Sequence, residues 1–412
     1  MLKAVKIRLI PTKEQEVLFW KSVGTARWAY NFYIFERERV YQEWKDNGNK
    51  GKKTISESAV RKYINNVLKP TTHLWLSDVG SNVMKQAVKD CNDAYNKWYD
   101  KQKELKRSKN YNSRTDWKIG KPKFKKKGKS KPNFYVNYES LSRKDGGFHG
   151  EKIGYVKTAT PLPKLKKGQK YSNPRISYDG KNWYLSVGYN FDPEKQELSG
   201  ESIGIDLGIK DLAIVSDGSK FKNINKTKEV RRLEKKLKRK QRSLSRMELE
   251  NTDHYTKDAK GYDHPVWKRP LRECANHNRQ SKKIALIQKR LADIRQNHIH
   301  QTTAAIVKTK PSRIVVENLN VSGMMKNKHL SKAVANEKFD EFIRQMKYKC
   351  EWNGIELVQA DRYFPSSKMC SCCGNIKKDL KLSDRTYKCK KCGITIDRDF
   401  NASLNLAKYE IA

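Results

Sequence analysis

The sequence predicts an α+β protein of several domains: a first half mixing helices with a β-rich stretch, then a sheet-and-helix domain carrying a thiolate-rich insert. Three observations lead there. Two C-x-x-C pairs, Cys370/Cys373 and Cys389/Cys392, are separated by 15 residues, the spacing of a four-thiolate zinc ribbon. Two short apolar strands each carry a carboxylate, Asp206 in Gly204-Ile-Asp-Leu-Gly208 and Glu317 at the end of Arg313-Ile-Val-Val-Glu317. And 412 residues suffice for two or three cores.

Charge narrows the partners. Lys and Arg total 89 against 45 Asp and Glu, a formal net charge of +44. An enzyme for a small neutral substrate has no use for such self-repulsion, so a polyanion is implied. Aromatic residues interleave with the basic ones, which suits stacking on unpaired bases. No apolar run approaches the ~18 residues of a membrane span, and the first residues, MLKAVKIRLIPTKEQ, contain no signal-peptide core. Eight cysteines, four of them in knuckles, fit thiolate-bound Zn²⁺ in a reducing, cytoplasmic setting better than disulfides.

Ala4–Ile10 alternates apolar and basic residues as a half-exposed strand, which Pro11 ends. Thr12 and Gln15 form a capping box for a helix through Leu18, Phe19, Val23, Ala26 and Tyr30. Helical periodicity returns over Ser56–Leu68 and Asn82–Tyr99. In the latter, Val83, Ala87, Cys91 and Tyr95 share one face, leaving Ser81, Lys85 and Gln86 as candidates for reading a duplex, or as a solvated face. From Lys101 to Pro132 the chain is strongly basic and punctuated by Trp117 and Phe124. Lys121, Lys123, Phe124, Lys125, Lys126 and Lys127 are candidate nucleic-acid contacts there. Residues 133–200 read as β, with a type I′ hairpin expected at Asp179-Gly180.

After the Asp206 strand, Leu212–Val215 and an Asp217-Gly218 turn continue the sheet. Residues 228–250 and 281–308 read as a basic helical hairpin joined by a polar loop, with Ile284, Ile287, Leu291 and Ile294 as its seam. A helix with Phe339, Phe342, Ile343, Met346 and Cys350 as its core face and a strand at Ile355–Val358 precede the ribbon. Gly374 and Gly393 follow the knuckles, where positive φ is needed, and Cys372 is a bystander.

A carboxylate in a buried strand needs a partner, and a metal ion supplies one. Strand acid, strand acid, then helix acid, with Asp399 or Asp397 as the third, is how a ribonuclease-H-like sheet holds two Mg²⁺ or Mn²⁺ roughly 4 Å apart. A third acid that is Asp rather than Glu favours hydrolysis over strand transfer.

These motifs resemble TnpB, the transposon-encoded RNA-guided endonucleases related to type V CRISPR effectors. The resemblance is carried by Gly120–Lys127, Gly204–Asp211, Val316-Glu-Asn-Leu319, Phe364-Pro-Ser-Ser-Lys-x-Cys370, the four knuckle cysteines and Asp397-Arg-Asp-x-Asn-Ala402. It covers about half the chain; the N-terminal third is only loosely similar. It implies a wedge β-barrel (1–11 and 112–200) interrupted by a helical recognition domain (12–111). A RuvC nuclease domain (201–363 and 395–412) follows, interrupted by the zinc ribbon (364–394). It implies Asp206, Glu317 and Asp399 as catalytic Mg²⁺ ligands with Asp397 in support, Arg398 as a further nucleic-acid contact, and Zn²⁺ on the four cysteines. The implied partners are a guide RNA from the transposon end and a double-stranded DNA target, with no protein oligomer required. A miniature CRISPR effector or a nuclease-inactive DNA-binding regulator would share the fold. Asn336-Glu-Lys-Phe339 stands where many relatives have a tryptophan-containing segment, and an extended C-terminal tail is expected to be missing.

Overall fold

Alternation builds the first element. In β1 (Leu2–Ile10), Ile7 and Leu9 are buried while Lys6 and Arg8 face outward. The computed structural model describes residues 1–107, 120–193, 196–258, 261–381 and 383–410, in two units, Met1–Phe191 and Asp192–Ala412. Trp117 and the boundary expected between 111 and 112 lie outside the described residues.

The Thr12 box forms in both directions. Gln15 N donates to Thr12 Oγ1 (3.3 Å) and Thr12 N to Gln15 Oε1 (3.0 Å), which starts α1 (Lys13–Asp46). Next come α2 (Glu57–Tyr63), a π-turn at Ile64–Leu68, α3 (Lys69–Thr71) and α4 (Ser81–Arg107). Val83, Ala87, Cys91 and Tyr95 are buried, and α4 packs along α1. Beside them lies a seven-stranded antiparallel sheet in the order β2 (Asn133–Tyr135), β6 (Ser172–Tyr178), β7 (Trp183–Asn190), β1, β5 (Gly154–Thr158), β4 (Gly147–Gly150), β3 (Ser142–Lys144). Phe19 of α1 meets Trp183 of β7 edge-on at 5.1 Å, joining helix to sheet.

The β6–β7 hairpin forms, but without a type I′ turn. Tyr178 pairs with Trp183 across a four-residue loop, and only Gly180 has positive φ. The Asp179 carboxylate instead accepts from the backbone of Lys181 and Asn182 at 2.9 Å each, so a side chain shapes the turn.

The second unit centres on a sheet ordered β10 (Lys220–Lys222), β9 (Asp211–Val215), β8 (Ser199–Leu207), β13 (Pro311–Val316), β14 (Glu356–Gln359). β8, β9 and β10 form an antiparallel meander, whereas β13 runs parallel to both β8 and β14. The β10–β13 connection contains α5 (Lys228–Glu250) and α6 (Ala275–Lys308), which meet through Val230, Ile287 and Leu291. The expected polar loop between them carries a two-stranded ribbon, β11 (Thr252–Lys257) and β12 (Asp263–Trp267). Its alternation is hidden because both faces are polar.

After β13 come α7 (Val321–Met324), α8 (Ser331–Glu337) and α9 (Phe339–Asn353). Residues of α6 and α9 cover one sheet face, with Ile299, Ile306, Phe342 and Met346 packed on Ile203 and Ile205. Leu406 of α10 (Arg398–Ala407) meets Val315 and Val358 in a second core. The insert before α10 pairs β15 (Thr386–Lys388) with β16 (Thr395–Asp397) around the fully buried Tyr387. Among the described residues no helix is long and apolar enough to cross a membrane.

Lys338 joins α8 to α9 in the left-handed region (φ 54°) and leaves Glu337 buried. Burial raises the Glu337 carboxyl from 4.5 to about 7, against the lowering effect of the Asn225 hydrogen bond and nearby cations. Its folded-state pKa lies above its unfolded one, so its contribution is complete below pH 4.5 and is lost as pH rises toward 7. Glu337→Gln should therefore flatten the pH dependence of denaturant unfolding across that window. An unchanged slope would contradict the assignment.

Candidate functional site

Register brings the strand acids level. β8 and β13 are parallel partners, Ile205 opposite Val316, so one further residue sets Asp206 beside Glu317. Gly204 lies two residues before Asp206 on the same strand face. A Cβ at Gly204 would collide with backbone atoms of Ser403 and Ala407 in α10, so glycine lets that helix lie directly on the strand. Asp399 sits one helical turn before Ser403, toward the Asp206 end of the strand.

The electrostatics record this convergence. Burial holds the Asp206 carboxyl well above the carboxylate range, and the charges of Glu317 and Asp399 push it the same way, with Arg398 opposing. Burial also raises Glu317. Asp399 Oδ1 accepts from Arg398 Nε (3.0 Å) and Nη2 (2.9 Å). Arg398 is thus engaged beside the acids, its side chain 14% exposed. Asp397 does something else: its Oδ1 caps α10, accepting from the amides of Asp399 (3.1 Å) and Phe400 (3.0 Å). A cleft of about 360 Å³ opens at Glu317, with Arg344 and Lys347 on its wall. Asp206 and Glu317, carboxylates whose ionisation burial opposes, with Asp399 near enough to act on Asp206, fit a hard divalent cation, although their oxygens are not gathered as tightly as the thiols below.

The thiolates make a tighter cluster. Among the described residues, Cys370, Cys373, Cys389 and Cys392 are the one group of metal-binding side chains whose donor atoms all lie within 4.8 Å of one another. Cys370–Cys392 and Cys373–Cys389 sulfurs are 3.6 Å apart, close to the ~3.8 Å edge of a tetrahedron with ~2.3 Å metal–sulfur bonds. Gly374 (φ 71°) and Gly393 (φ 75°) turn the chain after each knuckle. Backbone amides of Cys392 and Lys391 bring the Cys389 thiol down to about 6, favouring the thiolate. Cys372 is exposed and outside the group.

The two centres share a helix. Asn401 of α10 accepts from Ser371 N (2.9 Å) and donates to Met369 O (2.7 Å), and Asn405 Nδ2 donates to Ser366 O (2.7 Å) and Met369 O (2.6 Å). Lys408 Nζ reaches Ser371 O at 2.6 Å. The first knuckle is thereby fastened to the helix that carries Asp399. Asn405 and Lys408 escaped the sequence reading; the i, i+4 spacing of two asparagines on one helix face was the available signal.

The other candidates are dispersed over the first unit. Lys121 pairs with Glu38 at 3.0 Å. Lys123, Phe124, Lys126 and Lys127 are exposed. Lys125 turns inward: its ammonium lies 3.7 Å from the centre of the Tyr30 ring, and burial lowers its pKa. Ser81 and Lys85 are half-buried on α4, and Gln86 Nε2 donates to Asp90 Oδ1 at 2.9 Å.

Residues 185–328 match a family model described as a probable transposase, and residues 339–406 one described as the Cas12f1-like TNB domain. Residues 1–46 match one described as a helix-turn-helix domain, although here they form β1 and the single helix α1. A curated relative from Streptomyces pristinaespiralis, named "Putative RNA-guided DNA endonuclease", is 28% identical over 100% of this chain and 90% of its own length. InsQ of Escherichia coli (strain K12), similarly named, is 24% identical over 98% and 91%. CRISPR-associated endodeoxyribonuclease Cas12f1 of Sulfoacidibacillus thermotolerans is 26% identical over 56% and 51%. The cryo-EM structure of the Cas12f1–sgRNA–target DNA complex shares the fold, with a TM-score of 0.53 at 13% identity over 99% of this chain and 98% of that one.

Proposed function

We propose that this chain is a transposon-encoded RNA-guided DNA endonuclease of the TnpB type, a reading its relatives and the matched probable-transposase model support. The observation that carries the reading is the meeting of Asp206, Glu317 and Asp399 from β8, β13 and α10 in a protein of net charge +44. Asp206, Glu317 and Asp399 would hold Mg²⁺ or Mn²⁺, and Asp397 keeps the Asp399 turn in place. Bound as a pair, the ions supply an activated water and neutralise the leaving 3′ oxygen. Arg398 orients Asp399, and Lys347 presents positive charge at the cleft, where a phosphodiester backbone would enter, while Arg344 there is paired with Glu341.

The thiolate set takes Zn²⁺, whose soft-ligand preference keeps it from competing for the carboxylates. The seven-stranded sheet would correspond to the wedge barrel, expected at 1–11 and 112–200 although Ser199 and Gly200 already open β8 of the second unit, and its helices to the recognition domain, 12–111. Residues 201–363 and 395–412 form the RuvC domain around the 364–394 ribbon. The partners are a guide RNA from the transposon end and double-stranded DNA, met in the cytoplasm by a chain that needs no second copy. Zinc analysis should find one ion per chain. Cys389→Ser should lower occupancy and slow cleavage by about 10–100-fold, since the ion would tie the second knuckle to the first, which is fastened to α10. A zinc-free protein with full activity would overturn this role.

Lys123, Lys126 and Lys127 are backbone contacts. Replacing all three by Gln should weaken binding to every sequence alike and reduce the salt slope by about three; loss confined to one sequence would make them base readers. Ser81, Lys85 and Gln86 read the target-adjacent motif, with Gln86 first leaving Asp90. Sequencing co-purified RNA, then cutting a target library with randomised flanks in Mg²⁺, tests the whole reading. Absence of a defined RNA, or of metal-dependent cutting, refutes it. An unchanged motif in the Lys85→Ala, Gln86→Ala double variant removes α4 from motif reading.

A further inference from the structure

Between α1, α4 and the basic segment preceding β2 lies a cavity of about 240 Å³. Its floor is apolar because small or β-branched residues, Val23 and Ala26 on α1 and Val83 and Ala87 on α4, face one another; longer side chains would close it. Trp20 and Tyr135 also line it. Trp20 is held by edge contacts with Tyr178 (5.2 Å) and Trp183 (5.0 Å), yet remains 45% exposed.

The roof is fastened. Lys125 N donates to Asn31 Oδ1 (2.7 Å) and Asn31 Nδ2 to Lys125 O (2.9 Å), pinning the basic segment to α1. One wall is the ion pair of Asp90 with Arg175, at 2.7 and 2.8 Å. Arg175 and Gln86 occupy that carboxylate, so the wall is neutral and offers little edge recognition. Apart from Lys125, whose ammonium is turned onto the Tyr30 ring, the positive charge left over belongs to Arg27, Lys127 and Lys131, which have no carboxylate partner among the described residues. An apolar slot beneath three cations complements a flat heterocycle bearing an anion. The volume lies below the ~300–1,000 Å³ of ordinary small-molecule sites, so it admits one ring system and excludes a duplex or a folded peptide.

We propose that this cavity receives a single unstacked nucleotide of the nucleic acid bound by the first unit. Its base lies against Val23, Ala26 and Ala87 beside Trp20 and Tyr135, and its phosphate rests on Arg27, Lys127 and Lys131. This rests on the RNA-guided reading above, and leaves open whether RNA or DNA donates the nucleotide. Recognition is by stacking and shape, so any base is accepted.

The test uses the full chain loaded with guide RNA and matched DNA. A photoreactive 5-iodopyrimidine is placed singly along the guide, the target strand and the opposite strand, and cross-linked peptides are mapped. One position on one strand should cross-link to Trp20 or Tyr135, and that strand is the source. Ala87→Met, which fills the slot, should abolish that cross-link and lower affinity about tenfold. Arg27→Gln, a substitution outside the core, should keep the position but reduce the salt slope by about one. Equal cross-linking from a run of neighbouring positions, or wild-type behaviour of Ala87→Met, overturns the proposal. If Ala87→Met does not fold, the wild-type map and Arg27→Gln decide alone. A loaded complex that cuts matched DNA with no cross-link at either aromatic defeats this inference only; failure to bind RNA or DNA defeats the parent reading with it.

Discussion

Asp206→Ala, Glu317→Ala and Asp399→Ala are each expected to slow cleavage of matched DNA by about 10³-fold or more, with binding preserved. Each substitution would remove one of the oxygen ligands proposed for the divalent ions, on β8, after β13 or on α10. Most basic residues assigned to binding lie in the first unit and those near the acids are left in place, so affinity should hold or tighten slightly as a negative charge near phosphates is lost. Asp397→Ala should act differently, because its carboxylate caps α10. It should cost about 1 kcal/mol of stability and slow cutting only modestly. Paired cleavage and binding assays on RNA-loaded protein distinguish the outcomes: full cutting by Glu317→Ala or Asp399→Ala ends the mechanism, and equal loss of binding makes the acids structural.

Gly204→Ala should be the most damaging conservative change in the second unit. The added methyl meets backbone atoms of Ser403 and Ala407, which cannot swing aside as a flexible side chain would. Either α10 lifts from the sheet, uncovering Leu406, Val315 and Val358, or β8 bends. We expect a loss of about 3 kcal/mol or more, confined to the second unit. Gly200→Ala is the control: the same strand, with nothing within 4 Å of the new methyl. Hydrogen exchange should show amides of α10 and β8 opening together in the Gly204 variant and the first unit unchanged. Equal protection in the two variants would contradict the packing argument.

What the sequence disclosed was whatever short-range chemistry dictates. The Thr12–Gln15 box, the alternation of β1, the seam of α5 with α6 and the paired knuckles are each set by residues within a few positions. Legibility fell where a side chain's partner is distant. Lys125 looked like any lysine in a basic run, but Asn31 and Tyr30 draw it inward. Gln86 looked free on a polar face, but it donates to Asp90, a carboxylate that Arg175 also engages. The β11–β12 ribbon was hidden because pairing without a buried face leaves no apolar rhythm. The acids could be collected from strand-end positions, and the resemblance set Asp399 apart from Asp397, but the cap that Asp397 makes on α10 is visible only in the fold.

The layering of α10 on β8 also carries a cost in time. Roughly two hundred residues separate Gly204 from Ser403, and at ~5–20 residues per second a ribosome needs about 10–40 s to travel between them. Throughout that interval the strand bearing Asp206 exists without its covering helix. The first unit, with its own core, is synthesised while the proposed cutting centre is still unmade, so on the proposed reading guide capture would precede catalytic competence during synthesis.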